Sequence, residues 1–176
     1  MNGHISFPGK IHLIDSDQKL LSMHVGAVQE LGFDTETRPS FKQGEVYRVA
    51  LLQLATEVDA YLIRLHRVSS FHVLKNILED GKVTKVGVAI RDDLRALQKM
   101  FSFIPQGFVE LQDVAKKKGL ENIGLKGMTQ EVLNQTLSKK AKITNWEARQ
   151  LTEPQLLYAA TDAWVGLTIY RKLISR

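Results

Sequence analysis

Three apolar, β-rich segments follow one another between residues 31 and 65, and strands and helices then alternate to the end of the chain. The three strands read as residues 31–36, 46–56 and 60–65. Arg38-Pro39-Ser40 and Lys42-Gln43-Gly44 form the turn between the first two, which pair. A short strand at 11–14 precedes them, and Asp15-Ser16-Asp17 offers N-cap side chains for a helix over 18–28. Further on come a helix at 71–79 stopped by Asp80-Gly81, a buried strand at 83–90, and a helix at 92–100 with Leu94, Leu97 and nearby Phe101 on one face. A short strand at 107–111 and helices beginning in 113–118 and 126–137 lead to a final helix that Pro154 opens and that runs to about residue 173. Strands in succession followed by alternation call for a mixed sheet with helices packed on it, an α/β fold.

The chain has 176 residues, which suits one domain, 1–176, and leaves no room for an attached helicase or second nucleic-acid-binding module. Its 24 basic and 19 acidic residues give a formal +5, a balance that favours a polyanionic partner. There are no cysteines, which removes disulfides, thiolate zinc sites and a cysteine nucleophile. No cationic stretch with a long apolar run opens the sequence, and no segment approaches the roughly 18 apolar residues of a membrane span. The expectation is a soluble, intracellular (cytoplasmic) protein with no membrane contact.

The acidic residues carry the chemistry. In a strand, side chains at i and i+2 share a side, so Asp34 and Glu36 aim together from a strand end. Two carboxylates this close repel each other unless a divalent cation lies between them, and hard oxygen ligands suit Mg²⁺ or Mn²⁺. In a helix, i and i+4 share a face, so Tyr158 and Asp162 present together. Asp92 and Asp93 stand where a buried strand becomes a helix, Asp92 as an N-cap and Asp93 in the first turn. Each piece alone has an ordinary reading: a solvated acidic turn, a core tyrosine, a capped helix. Spacing alone does not choose between Asp92 and Asp93. Together the pieces fit phosphodiester hydrolysis, in which two metals roughly 3.5–4 Å apart clamp the attacking and leaving oxygens.

The segments FDTE, VGVAIRDDLRAL and LTEPQLLYAATDAWVGLTIYRKL resemble the three exonuclease motifs of the DEDD superfamily, most closely its RNase D branch and Werner-type exonuclease domains. The likeness runs from about residue 11 to about residue 173, and Leu51-Leu52-Gln53-Leu54 fits it too. The resemblance implies an RNase H-like (DnaQ-like exonuclease) fold, a five-stranded mixed sheet flanked by helices. It implies Asp34, Glu36, Asp93 and Asp162 as ligands of two divalent ions, with Asp93 selected over Asp92 by its distance from Gly87. Tyr158 stands four residues before the last aspartate, and Leu157 occupies the position of the histidine found in the other branch, so the likeness is to the tyrosine branch. The implied reaction releases nucleoside 5′-monophosphates from a 3′ end. The backbone of Thr35 is placed near the terminal 3′-hydroxyl by the same analogy.

Eight basic residues between 116 and 149, Lys139 and Lys140 among them, face three acidic ones, a surface suited to a phosphate backbone. Trp146 is a candidate platform for a base, set against a packing role. The five histidines show no metal-ligand spacing. Four functions compete. The first is a metal-dependent 3′–5′ exonuclease with DNA favoured as partner. The others are an RNase D-like exoribonuclease, a non-catalytic nucleic-acid-binding scaffold, and an RNase H-like endonuclease or transposase. The complete carboxylate set with Tyr158 favours the first over the scaffold, and the tyrosine–aspartate helix disfavours the last.

Overall fold

The computed structural model describes residues 3–138 and 144–176. Six strands form one sheet: β1 (Lys10–Ile14), β2 (Glu30–Glu36), β3 (Leu51–Ala55), β4 (Asp59–Arg64), β5 (Thr84–Gly87) and β6 (Phe108–Glu110). Their order is β1-β4-β3-β2-β5-β6. β2, β3 and β4 are antiparallel neighbours, while β1–β4, β2–β5 and β5–β6 pair in parallel. The mixed sheet is therefore present with all six strands that the sequence reading placed, 108–110 at one edge among them, one more than the five that the family resemblance implies.

Six α-helices complete the described fold: α1 (Asp17–Ser22), α2 (His72–Leu78), α3 (Ile90–Gln98), α4 (Leu111–Lys117), α5 (Leu125–Leu133) and α6 (Glu153–Ile174). Strand alternation divides them between two layers. Leu31 and Phe33 of β2, with Leu52 and Leu54 of β3, point into a core shared with Leu20 of α1, Leu74 of α2 and Leu97 of α3. Leu51 and Ala55 point the other way, onto Ala159, Ala160 and Ala163 of α6, and Val86 meets Leu111, Met128 and Val165 there. Alternation carries Asp34 and Glu36 to the α6 face and Thr35 to the α3 face.

Several boundaries differ from the sequence reading. The helix expected over 18–28 stops at Ser22; Ser16 caps it by accepting from the Lys19 N–H, and Met23 is already extended. Gly26 then takes a positive φ of 76°, and Met23, Val25 and Val28 pack on the core from irregular backbone. The strand expected over 46–56 begins at Leu51, and the strand expected over 83–90 ends at Gly87. Ala89 turns the chain with a φ of 54°, and α3 starts at Ile90 with Ala89 as its N-cap. Asp92 is therefore not the cap. The Glu110 carboxylate does that work, accepting from the N–H groups of Ala89 and Ile90, each at 2.9 Å. Both Asp92 and Asp93 sit in the first turn, where the helix dipole favours them. α6 opens with a capping box between Thr152 and Gln155 and carries Pro154 in its first turn. No helix among the described residues is long and apolar enough to cross a membrane.

One close approach sets the distance between α6 and the sheet. A Cβ on Gly32 would lie 1.9 Å from the Ala163 carbonyl oxygen. Gly32→Ala is expected to push α6 off β2 and to destabilise the protein by about 1–3 kcal/mol or more, as overpacked sites do. Chemical denaturation of the variant checks this; a midpoint equal to wild type would mean the helix yields freely.

Candidate active site

β2 and α6 bring three of the predicted acids together. Asp34, Glu36 and Asp162 each offer a carboxylate oxygen, and the three oxygens lie within 4.8 Å of one another. Among the described residues this is the only group of three or more histidine or acidic side chains close enough to hold a metal. Tyr158, one turn before Asp162, is part-buried and hydrogen-bonded toward its carboxylate.

Asp93 lies on the other face of β2 and is joined to the group through the strand. Thr35, between the two β2 acids, donates its hydroxyl to Asp93 Oδ1 at 2.7 Å, while its backbone N–H donates to Asp34 Oδ1 at 2.8 Å. Asp92 is exposed and Asp93 is not. The position given to Thr35 beside a 3′-hydroxyl involved its backbone; the structure adds that its side chain is committed to Asp93.

The electrostatics follow from crowding acids in a half-enclosed space. Burial, then the charges of Asp162 and Asp93, push the Asp34 carboxyl well above the usual range, against the pull of the Thr35 N–H. Burial and the charges of Asp34, Asp162 and Asp93 push Glu36 up to about 10, opposed by a hydrogen bond from Gln53. Asp93 is pushed up to about 6, chiefly by burial, with its Thr35 hydrogen bond acting the other way. The Tyr158 phenol is raised by burial and then by the neighbouring Asp162 and Glu36 charges, so it stays protonated.

Other candidates fare differently. Trp146 is fully buried, so it offers no face to a base; its ring packs 6.1 Å from that of Tyr158. Lys139 and Lys140 lie outside the described residues. The sequence reading gave no role to Gln53, which pairs across the strands with Asp34, is fully buried, and donates to the Ala159 carbonyl of α6 at 3.3 Å. Its signal was present: one amide in the otherwise apolar strand LLQLA, buried at all five positions.

Raised carboxyl pKa values carry a stability consequence. Asp93 contributes stability that is fully present below its unfolded value of 3.8 and is lost as pH rises through about 6. Near neutral pH the metal-free fold therefore bears the cost of a charged, largely desolvated Asp93. Asp34→Asn keeps the acceptor for Thr35 and removes a charge. In EDTA at about pH 7.5 it should melt at a higher temperature than wild type, while Mn²⁺ should stabilise wild type more than the variant. Scanning calorimetry with and without metal reads both effects; a less stable variant in EDTA would mean that the carboxylates do not strain the fold.

Comparison with known proteins identifies the family. A family model described as 3′-5′ exonuclease matches residues 12–176. The mouse bifunctional 3′-5′ exonuclease/ATP-dependent helicase WRN is 42% identical over 159 residues, covering 87% of this chain and 11% of the relative. Ribonuclease D of Escherichia coli K12 is 33% identical over 168 residues, covering 92% of this chain and 44% of the relative. The crystal structure of E. coli RNase D, described as an exoribonuclease involved in structured RNA processing, aligns with a TM-score of 0.82 at 32% identity over 94% of this chain and 44% of that one. The EXO domain of Aedes aegypti Nibbler aligns with a TM-score of 0.87 at 26% identity over 97% of this chain and 91% of that one. The chain thus spans less than half the length of the two curated relatives, and within that span the match is nearly complete: it belongs to the 3′-5′ exonuclease family.

Proposed function

We propose that the protein hydrolyses phosphodiester bonds stepwise from the 3′ end of a nucleic acid and releases nucleoside 5′-monophosphates. The convergence of Asp34, Glu36 and Asp162, with Tyr158 one turn away on the same helix, carries this reading. The donor set is all carboxylate oxygen, which fits Mg²⁺ or Mn²⁺. The crowding that raises the Asp34 and Glu36 pKa values is what a divalent charge would relieve. Asp34, Glu36 and Asp162 would hold the metal, and Asp93 would complete the set for a second ion from across β2. When bound, such ions supply an activated water and offset charge on the reacting phosphate.

The chain's own groups then have distinct tasks. Tyr158, held protonated, orients the attacking water through its hydroxyl. Gln53 holds Glu36 from below, and Thr35 keeps Asp93 facing the strand end. DNA, favoured in the sequence reading, is the first proposed substrate, on single strands or on recessed or overhanging 3′ ends. The likeness to ribonuclease D supports RNA as the second.

Matched DNA and RNA oligonucleotides labelled at the 5′ end, incubated with Mg²⁺, Mn²⁺ or EDTA, test the reading. A metal-dependent ladder shortening from the 3′ end is expected, and the faster ladder identifies the preferred polymer. Asp162→Ala should abolish it, and Tyr158→Phe should slow it by about 10²–10⁴-fold. Asp93→Asn should be far more damaging than Asp92→Asn. Binding without cleavage of either polymer would point instead to a scaffold.

A further inference from the structure

Trp146 is enclosed by polar clamps that the reaction itself leaves unexplained. Arg64, the last residue of β4, is 2% exposed. Its guanidinium donates to the backbone carbonyls of Arg149 at 3.0 Å, Trp146 at 3.4 Å and, at short range, Ala148. Arg67 donates to the Arg149 carbonyl as well, at 2.9 Å. A buried guanidinium is costly unless its donors are met; here three carbonyls of the single segment 146–149 accept from Nη1 and Nη2, while Nε has no partner among the described residues.

The same stretch is tied to α6 from the other side. Gln155 Nε2 donates to Thr144 Oγ1 at 2.9 Å and to the Asn145 carbonyl at 3.3 Å, while its Oε1 accepts from the Thr152 N–H in the capping box. A third tie comes from the acidic strand: Arg38, two residues past Glu36, lies 3.7 Å from the Glu147 carboxylate and 4.3 Å over the Tyr47 ring. The indole so fixed lies 6.1 Å from the Tyr158 ring, tilted by 30°. Its Nε1 has no hydrogen-bond partner among the described residues, and its contacts are with the apolar cluster of Phe7, Ala50, Leu62 and Ala160.

We propose that Trp146, locked by Arg64 and Gln155, is a positioning residue that fixes the Tyr158 ring and thereby aims its hydroxyl at the Asp162 side of the site. The proposal rests on the exonuclease reading and deepens it. A tyrosine hydroxyl sits at the end of a lever, so a small swing of an unsupported ring displaces it, and a misplacement of about 1 Å can cost about 10²-fold in rate.

Kinetics test this in a double-mutant cycle. Trp146→Leu should lower kcat by up to about 10²-fold with KM little changed, and Trp146→Phe should recover most of the loss. In a Tyr158→Phe background, Trp146→Leu should cost nothing further; equal losses in both backgrounds would overturn the proposal. A second readout does not depend on cleavage. In protein carrying 3-fluorotyrosine, the ¹⁹F line of Tyr158, assigned by its loss in Tyr158→Phe, should be single and narrow in wild type. It should broaden or split in Trp146→Leu and in Arg64→Lys, while the Tyr61 and Tyr170 lines stay in place. Arg64→Lys keeps the indole and the charge but loses the planar fork, so it carries the test if Trp146→Leu does not fold. An unchanged Tyr158 line in Arg64→Lys would overturn the proposal whether or not the wild type cleaves.

Discussion

Gly32 has no side chain, and the backbone of Ala163 lies where one would be. The site depends on that contact. Two residues along β2 from Gly32 stands Asp34, and one residue before Ala163 stands Asp162. Closing the helix onto the strand at this point closes the gap between their carboxylates. The small residues Ala159, Ala160 and Ala163 form the face that allows it. The capping box at Thr152 and Gln155 fixes where the helix begins. Tyr158 follows six residues after the Thr152 cap, and its height above the sheet is set by the same packing. The acids are therefore positioned by core geometry rather than by a loop.

Strand alternation gives the site a second dimension. Asp34, Glu36 and Gln53 share the α6 face, while Thr35 points to the α3 face and meets Asp93 there. A single β-strand end thus separates three carboxylates from the fourth and links them through one threonine, backbone to one side and hydroxyl to the other. This arrangement costs free energy, visible in the raised positions of Asp34 and Glu36, where burial acts first and mutual repulsion second, and of Asp93, where burial dominates. A hydrophobic strand end would be more stable and chemically idle. Retaining four acids here is intelligible if a divalent cation is the missing counter-charge.

Much of this was legible before the structure, because local periodicity is enough for it. The i, i+2 relation of Asp34 and Glu36 and the i, i+4 relation of Tyr158 and Asp162 need no knowledge of the fold. Pro154 announced the final helix. What periodicity cannot supply is the partner of a buried group. For Trp146 a base-stacking role stood against a packing one because the residues of its buried cluster, Phe7, Ala50 and Leu62 among them, lie far from it along the chain. Asp92 looked like a cap because the true acceptor, Glu110, lies 20 residues beyond Ile90. The helix expected over 18–28 failed for a related reason: Met23, Val25 and Val28 are apolar because they touch the core, which irregular backbone can also achieve. Of the two neighbouring aspartates, only Asp93 accepts from Thr35, a contact that spacing along the chain does not reveal.

The central claim is that these four carboxylates form one metal centre. Crystals grown with Mn²⁺ and a nucleoside 5′-monophosphate, measured at a wavelength where manganese scatters anomalously, test it most directly. The account predicts anomalous peaks bounded by Asp34, Glu36 and Asp162 and reaching toward Asp93, with the nucleotide phosphate against them. Peaks elsewhere on the protein with none at the end of β2, under conditions in which the nucleotide is bound, would contradict it.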